Sequence, residues 1–265
     1  MRFCYMGDMM LEEISIEIIL LLVGAGFLAA FIDSVVGGGG MISLPALLLT
    51  GLDPVLALGT NKLGSTMASF ASTISFLRSG IVEVNVVKYL FPLSLIGSVL
   101  GVMLLQVMPP DVLRPIVVVM LAVVTIYSIV RKEWGSVSTY TGMTTKMMIA
   151  SMLVALFFGA YDGFFGPGTG SFLLFAFLFL GFDFVRAAGN AKALNFASNI
   201  AALVTFFYFG NIDYTYGLIM GVSMIFGAIC GTRVAITKGA SYVKPLFICV
   251  STLLVGKQVW ELFFK

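Results

Sequence analysis

The stretches Asp33-Ser34-Val35-Val36-Gly37-Gly38-Gly39-Gly40 and Asp162-Gly163-Phe164-Phe165-Gly166-Pro167-Gly168-Thr169-Gly170 are versions of one another. Each is a glycine-rich break headed by an aspartate and set inside a long apolar run. Each leads into a short apolar segment of about eleven residues, then an acidic turn (Asp53, Asp183) and a lysine inside the next apolar segment (Lys62, Lys192). Backbone at membrane depth without helical hydrogen bonds costs several kcal/mol per unsatisfied group unless protein or a cavity shelters it. Two such breaks at corresponding positions point to the binding site of a transporter.

Working outward, the chain is 60% hydrophobic and 11% charged, against roughly half and a quarter for a soluble domain. With a mean hydropathy of +1.07, it reads as an all-α integral membrane protein with no room for a soluble domain. There is no histidine, which removes the usual general acid–base and the commonest metal ligand. No metal site, cofactor or nucleic-acid surface is expected, and a membrane enzyme is disfavoured. Cys4, Cys230 and Cys249 have no disulfide or metal spacing. The first segment carries Asp8, Glu12 and Glu13 rather than a basic leader, so it is read as retained.

A hydrocarbon core of about 30 Å takes roughly 20 helical residues. Apolar segments occur at about 14–36, 41–51, 59–77, 84–108 and 112–130, and again at 147–165, 170–181, 189–209, 214–235 and 243–264. The second and seventh are too short to span, so each is expected to be a half-helix or a re-entrant arm. A shift of 130 residues superposes Gly40 on Gly170, Asp53 on Asp183, Gly59 on Gly189, Lys62 on Lys192, Gly97 on Gly227 and Gly101 on Gly231. Asp33 meets Asp162 when the shift is one residue smaller, so the second break has gained a residue. The expected organisation is a membrane repeat at 1–130, a cytoplasmic linker at 131–146 and a second repeat at 147–265. Each repeat has about four long helices and one short one.

Charge decides the relative orientation of the repeats. If they are inverted, the loops at 78–88, 131–146, 186–192 and 233–244 lie on one side and hold ten of the fifteen basic residues; parallel repeats would divide them eight to seven. The positive-inside rule therefore favours inversion, with both termini outside.

Asp33, Lys62, Asp162 and Lys192 fall at membrane depth, where each lone ionised side chain costs about 2.5–3.5 kcal/mol. They are expected to be paired or hydrated. The aspartates orient the glycine loops by accepting amide hydrogen bonds, or they carry a coupling proton. The lysines either snorkel to an interface or, since both halves keep one, form an anion site near the pseudo-two-fold axis. Backbone amides at Gly37, Gly38, Gly39, Gly40, Gly166, Gly168 and Gly170, on half-helices opening near Met41 and Ser171, would aim donors at the same region. Ser43, Asn61, Ser65, Thr66, Thr169, Ser171, Asn195 and Asn199 are further candidate donors. Gly97, Gly101, Gly227 and Gly231 form Gly-x-x-x-Gly pairs, a helix-packing signal.

Phe31-Ile32-Asp33-Ser34, Gly37–Gly40, Gly59-Thr60-Asn61-Lys62-Leu63, Tyr161-Asp162-Gly163-Phe164-Phe165-Gly166-Pro167-Gly168-Thr169-Gly170-Ser171 and Ala191-Lys192-Ala193-Leu194-Asn195 resemble the TauE/SafE family over nearly the whole chain. The resemblance implies an inner-membrane permease of sulfite or organosulfonates, built from two related halves and working as an exporter. The substrate is then a small sulfur-containing anion, with coupled protons as a further partner. An anion pore and a membrane helper subunit without flux of its own remain the alternatives.

Overall fold

The computed structural model describes residues 15–109 and 138–238. Among them are eight helices: α1 (Ile16–Val36), α2 (Gly40–Leu49), α3 (Pro54–Arg78), α4 (Val84–Gln106), α5 (Thr145–Phe164), α6 (Thr169–Phe179), α7 (Phe184–Tyr208) and α8 (Tyr214–Lys238). The expected segments at 112–130 and 243–264, and most of the 131–146 linker, lie outside the described residues. The chain is an all-helical membrane protein. Among the described residues α1, α4, α5 and α8 are long and apolar enough to cross a bilayer.

Local chemistry repeats with the sequence. Asp53 and Asp183 each accept two backbone N–H bonds at the first turns of α3 and α7, at 3.2 and 3.3 Å and at 3.0 and 3.0 Å. These acids are helix caps. The caps start α3 and α7 five residues before the apolar segments expected at 59 and 189, and Pro54 at the first helical position reinforces the first of them. The two short helices begin at Gly40 and Thr169, one and two residues earlier than expected.

Contacts between helices give their directions. Lys62, early in α3, reaches Asn199, late in α7, whereas Thr73, late in α3, donates to the Lys192 carbonyl, early in α7. These helices occupy equivalent places in the two halves and run antiparallel. By contrast α4 lies parallel to α7, with Ser94 donating to the Leu194 carbonyl at 2.9 Å and Ser98 to the Ser198 carbonyl at 2.6 Å. Likewise α8 lies parallel to α1 and α3. Since α1 and α3 run the same way, α2 between them runs back.

The Gly-x-x-x-Gly pairs sit where backbones touch. A Cβ on Gly97 or Gly101 would collide with the Leu156 or Ala160 carbonyl of α5, and one on Gly227 or Gly231 with the Phe27 or Phe31 carbonyl of α1. Lipid tails offer no hydrophobic drive for helix association, so such close packing and interhelical hydrogen bonds hold the bundle together. The apolar interior is duplicated as well. One cluster contains Leu174, Phe177, Ala187, Phe76 and Val82; the other contains Leu44, Leu47, Ala57, Phe206 and Ile212, each displaced by 130 positions. The first glycine break follows Val35 and Val36 of the former cluster, and the second follows Phe165 of the latter.

Candidate functional site

The breaks exist because helix geometry fails at their glycines. Gly37 and Gly38 have φ of 77° and 89°, and Gly166 and Gly168 have φ of 98° and 90°, a region that residues with a Cβ rarely adopt. The missing Cβ atoms also let the breaks touch. Gly37 packs on the Gly170–Ser171 peptide, Gly40 faces Pro167, and Ser171 Oγ donates to the Val36 carbonyl at 3.1 Å. Two helix reversals, one from each half, thus meet tip to tip.

Around this junction the four ionisable groups pair crosswise. Lys62 Nζ of α3 lies 2.9 Å from Asp162 Oδ1 at the end of α5. Lys192 Nζ of α7 meets Asp33 Oδ2 near the end of α1. Each lysine therefore binds the aspartate of the other half. The lysines do not snorkel, being 2% exposed each. An ion pair removed from water gains strength from low dielectric but pays desolvation, so removing one partner is more damaging than removing both. Lys62 has a second acceptor in Asn199 Oδ1, at 3.1 Å.

Asp33, Lys62, Asp162 and Asn199 line a small polar cavity with Asn61, Ser65 and Asn195, and Lys192 sits behind its wall on Asp33. Gly38, Gly40, Gly166, Gly168 and Gly170 complete its wall. Backbone N–H groups of Gly38, Gly40, Gly168 and Gly170 donate to no protein acceptor among the described residues. The Gly39 amide is different, because it donates to Asp33 Oδ1 at 3.1 Å. The N-termini of α2 and α6 open on the same space, so unused amide donors and two positive dipole ends converge there. The cavity offers about 20 Å³ to the centre of a water, and one water needs roughly 10–15 Å³ on that measure. That volume is too small for an oxyanion, which enters only if the walls part.

The remaining candidates lie beside the cavity. Ser43 Oγ donates to the Gly39 carbonyl at 3.3 Å, Thr66 Oγ1 to the Lys62 carbonyl at 2.7 Å, and Thr169 Oγ1 to the Gly166 carbonyl at 2.7 Å. Together with Ser171 and Gly37, these residues shape the breaks. Sequence reading missed three supporting residues. Tyr161 braces the second break by donating to the Pro167 carbonyl at 2.7 Å. Asn190 accepts the Glu83 N–H at 2.7 Å, and its counterpart Thr60 accepts the Asp213 N–H at 2.9 Å. The 130-residue register could have found this last pair, since Thr60 and Asn190 are both polar and flank Gly59 and Gly189.

Comparison with known proteins assigns nearly the whole chain to one family. The family model described as "Sulfite exporter TauE/SafE" matches residues 22–257. A "Probable membrane transporter protein ORF9" of a Sinorhizobium species is 38% identical over 245 residues, covering 92% of this chain and 93% of its own. A "Probable membrane transporter protein" of Haemophilus influenzae is 34% identical, covering 94% and 97%. The "Probable membrane transporter protein YfcA" of Escherichia coli is 35% identical, covering 88% and 87%. No solved structure matches the chain.

Proposed function

Because the chain belongs to the TauE/SafE family, whose members matched here are membrane transporters and not enzymes, we propose that it is a secondary transporter of small sulfur-containing anions. Sulfite and organosulfonates are the intended class, and export is the intended direction. The anion binds between the two glycine breaks, at Lys62 and Lys192 and the amides of Gly38, Gly40, Gly168 and Gly170. The observation that carries this reading is the crossed pairing: two buried lysines are each held by a carboxylate of the opposite half, and both carboxylates line the cavity together with the unused amide donors. Lysines provide point charges and amides provide oriented donors, a combination suited to an oxyanion.

The same geometry supports a route for transport. A substrate anion competes with Asp162 for Lys62 and with Asp33 for Lys192. Each carboxylate sits at the tip of a helix reversal, so exchanging it for substrate frees that reversal from the opposite half. Binding and opening then become one event, and two inverted halves, 1–130 and 147–265 joined by the 131–146 linker, alternate around a fixed site. The antiparallel α3 and α7 support the inversion. The concentration of basic residues in four loops supports placement in the inner membrane with both termini outside.

Radiolabelled sulfite uptake into proteoliposomes tests the substrate class. Uptake is expected to saturate and to be inhibited by thiosulfate and sulfoacetate but not by acetate. Equal inhibition by acetate, or no sulfite uptake with robust uptake of another anion, would remove sulfur-anion selectivity.

A further inference from the structure

The two ion pairs are equivalent by sequence but not by environment. Both Asp33 oxygens are engaged, Oδ1 by the Gly39 N–H and Oδ2 by Lys192, and the side chain is 21% exposed. The Asp162 side chain is 2% exposed and only Oδ1 is engaged; Oδ2 has no hydrogen-bond partner among the described residues. The extra residue in the second break is the cause. Six residues after Asp33, Gly39 has a φ of −55° and turns its amide back onto the carboxylate. Six residues after Asp162, Gly168 has a φ of 90° and makes no such bond.

Resting on the reading of this cavity as the transport site, we propose that Asp162 is the proton-binding group of the transporter and that Asp33 stays ionised to orient its loop. A buried carboxylate oxygen without a donor is costly. A proton taken up from bulk water onto Oδ2 removes the buried negative charge and turns that oxygen from an acceptor into a donor. Lys62 keeps its ammonium charge and its bond to Asn199, loses its counter-ion, and becomes available to the substrate anion. One proton thus accompanies one negative charge through the site, so net export requires an outward anion gradient larger than the inward proton gradient, and deprotonation of Asp162 at the exit side restores the pair and expels the anion. The charged and titratable groups facing Asp162 are Lys62 from α3, Asp33 from α1 across the cavity, Lys192 from α7 beside Asp33, and the adjacent Tyr161 on α5. The helices α2, α4 and α6 bring no charged side chain to the cavity.

Infrared difference spectra between alkaline and acidic pH, taken on the full-length protein without substrate, test the assignment. Wild type is expected to show a protonated-carboxyl band that Asp162→Asn lacks and Asp33→Asn keeps. Sulfite exchange at matched pH inside and outside provides the second arm. As pH rises, the wild-type rate should fall more steeply than that of Asp162→Asn, approaching about tenfold per pH unit where deprotonation limits it, as one linked proton requires. Sulfite's own titration is common to all three proteins and cancels in this comparison. A band surviving in Asp162→Asn, or lost only in Asp33→Asn, overturns the proposal. If Asp162→Asn does not fold, Asp162→Glu should shift the band, and an unshifted band overturns the assignment equally. Wild-type sulfite exchange without any band sinks the proton site but leaves the anion reading standing. A band without sulfite exchange does the reverse.

Discussion

Lys62→Ala combined with Lys192→Ala abolishes sulfite transport, with uptake falling by about a hundredfold or more if each lost charged hydrogen bond is worth roughly 1.5–3 kcal/mol. Single substitutions carry a second penalty. Removing Lys62 strands Asp162, which is 1% exposed, as an uncompensated charge at a cost of about 3–5 kcal/mol. Loss of transport in Lys62→Ala could therefore reflect unfolding. Removing both members separates the effects. Lys62→Met with Asp162→Leu keeps volume, eliminates the buried pair and should leave the unfolding temperature within a few degrees of wild type. Sulfite uptake should nevertheless be lost. Uptake at the wild-type rate by this folded double variant would mean that Lys62 does not hold the anion.

The second large effect concerns the junction of the breaks. Gly37→Ala is expected to yield little folded protein. Its φ of 77° with ψ of 176° is a region essentially reserved for glycine and costs a residue with a Cβ about 1–3 kcal/mol, and that Cβ would also drive into the Gly170–Ser171 peptide. Two glycines serve as controls. Gly51 has a φ of 90° but open space, so Gly51→Ala should carry only the conformational cost. Gly24 lies inside α1 with nothing near it, and Gly24→Ala should be neutral or raise stability by up to about 1 kcal/mol. Size-exclusion profiles and unfolding temperatures of the three variants should rank Gly24→Ala above Gly51→Ala above Gly37→Ala. A Gly37→Ala protein as stable as Gly51→Ala would show that the breaks do not need their close approach.

Much of this was legible because duplication writes each feature twice. A lone lysine nine residues into a helix reads as a snorkelling side chain, but Lys62 and Lys192 at matching places in two halves require a shared explanation. The glycine breaks announced the short helices, and the Gly-x-x-x-Gly pairs announced the backbone contacts of α1 with α8 and α4 with α5. Which lysine meets which aspartate was not legible. Asp33 and Lys62 lie closer in sequence than Asp33 and Lys192, and the crossing arises only from how the helix reversals pack. The hydroxyls were ambiguous for another reason: serine and threonine on helices can satisfy themselves on the carbonyl one turn back. Ser43 and Thr66 do so, which a list of polar residues near a break does not reveal. The unequal aspartates depend on one inserted residue, visible in the sequence as a changed register but silent about where the amides turn.

Counterflow tests the central claim, that one site between the breaks is presented alternately to the two sides. Proteoliposomes loaded with unlabelled sulfite are diluted into tracer, and the initial tracer entry is compared with that of empty vesicles. Alternating access predicts faster entry into the loaded vesicles and transient accumulation above the external concentration, because a loaded site returns ready to take tracer. Tracer entry that is unchanged by internal sulfite, and that rises in proportion to concentration without saturating, would contradict it and make the protein a pore.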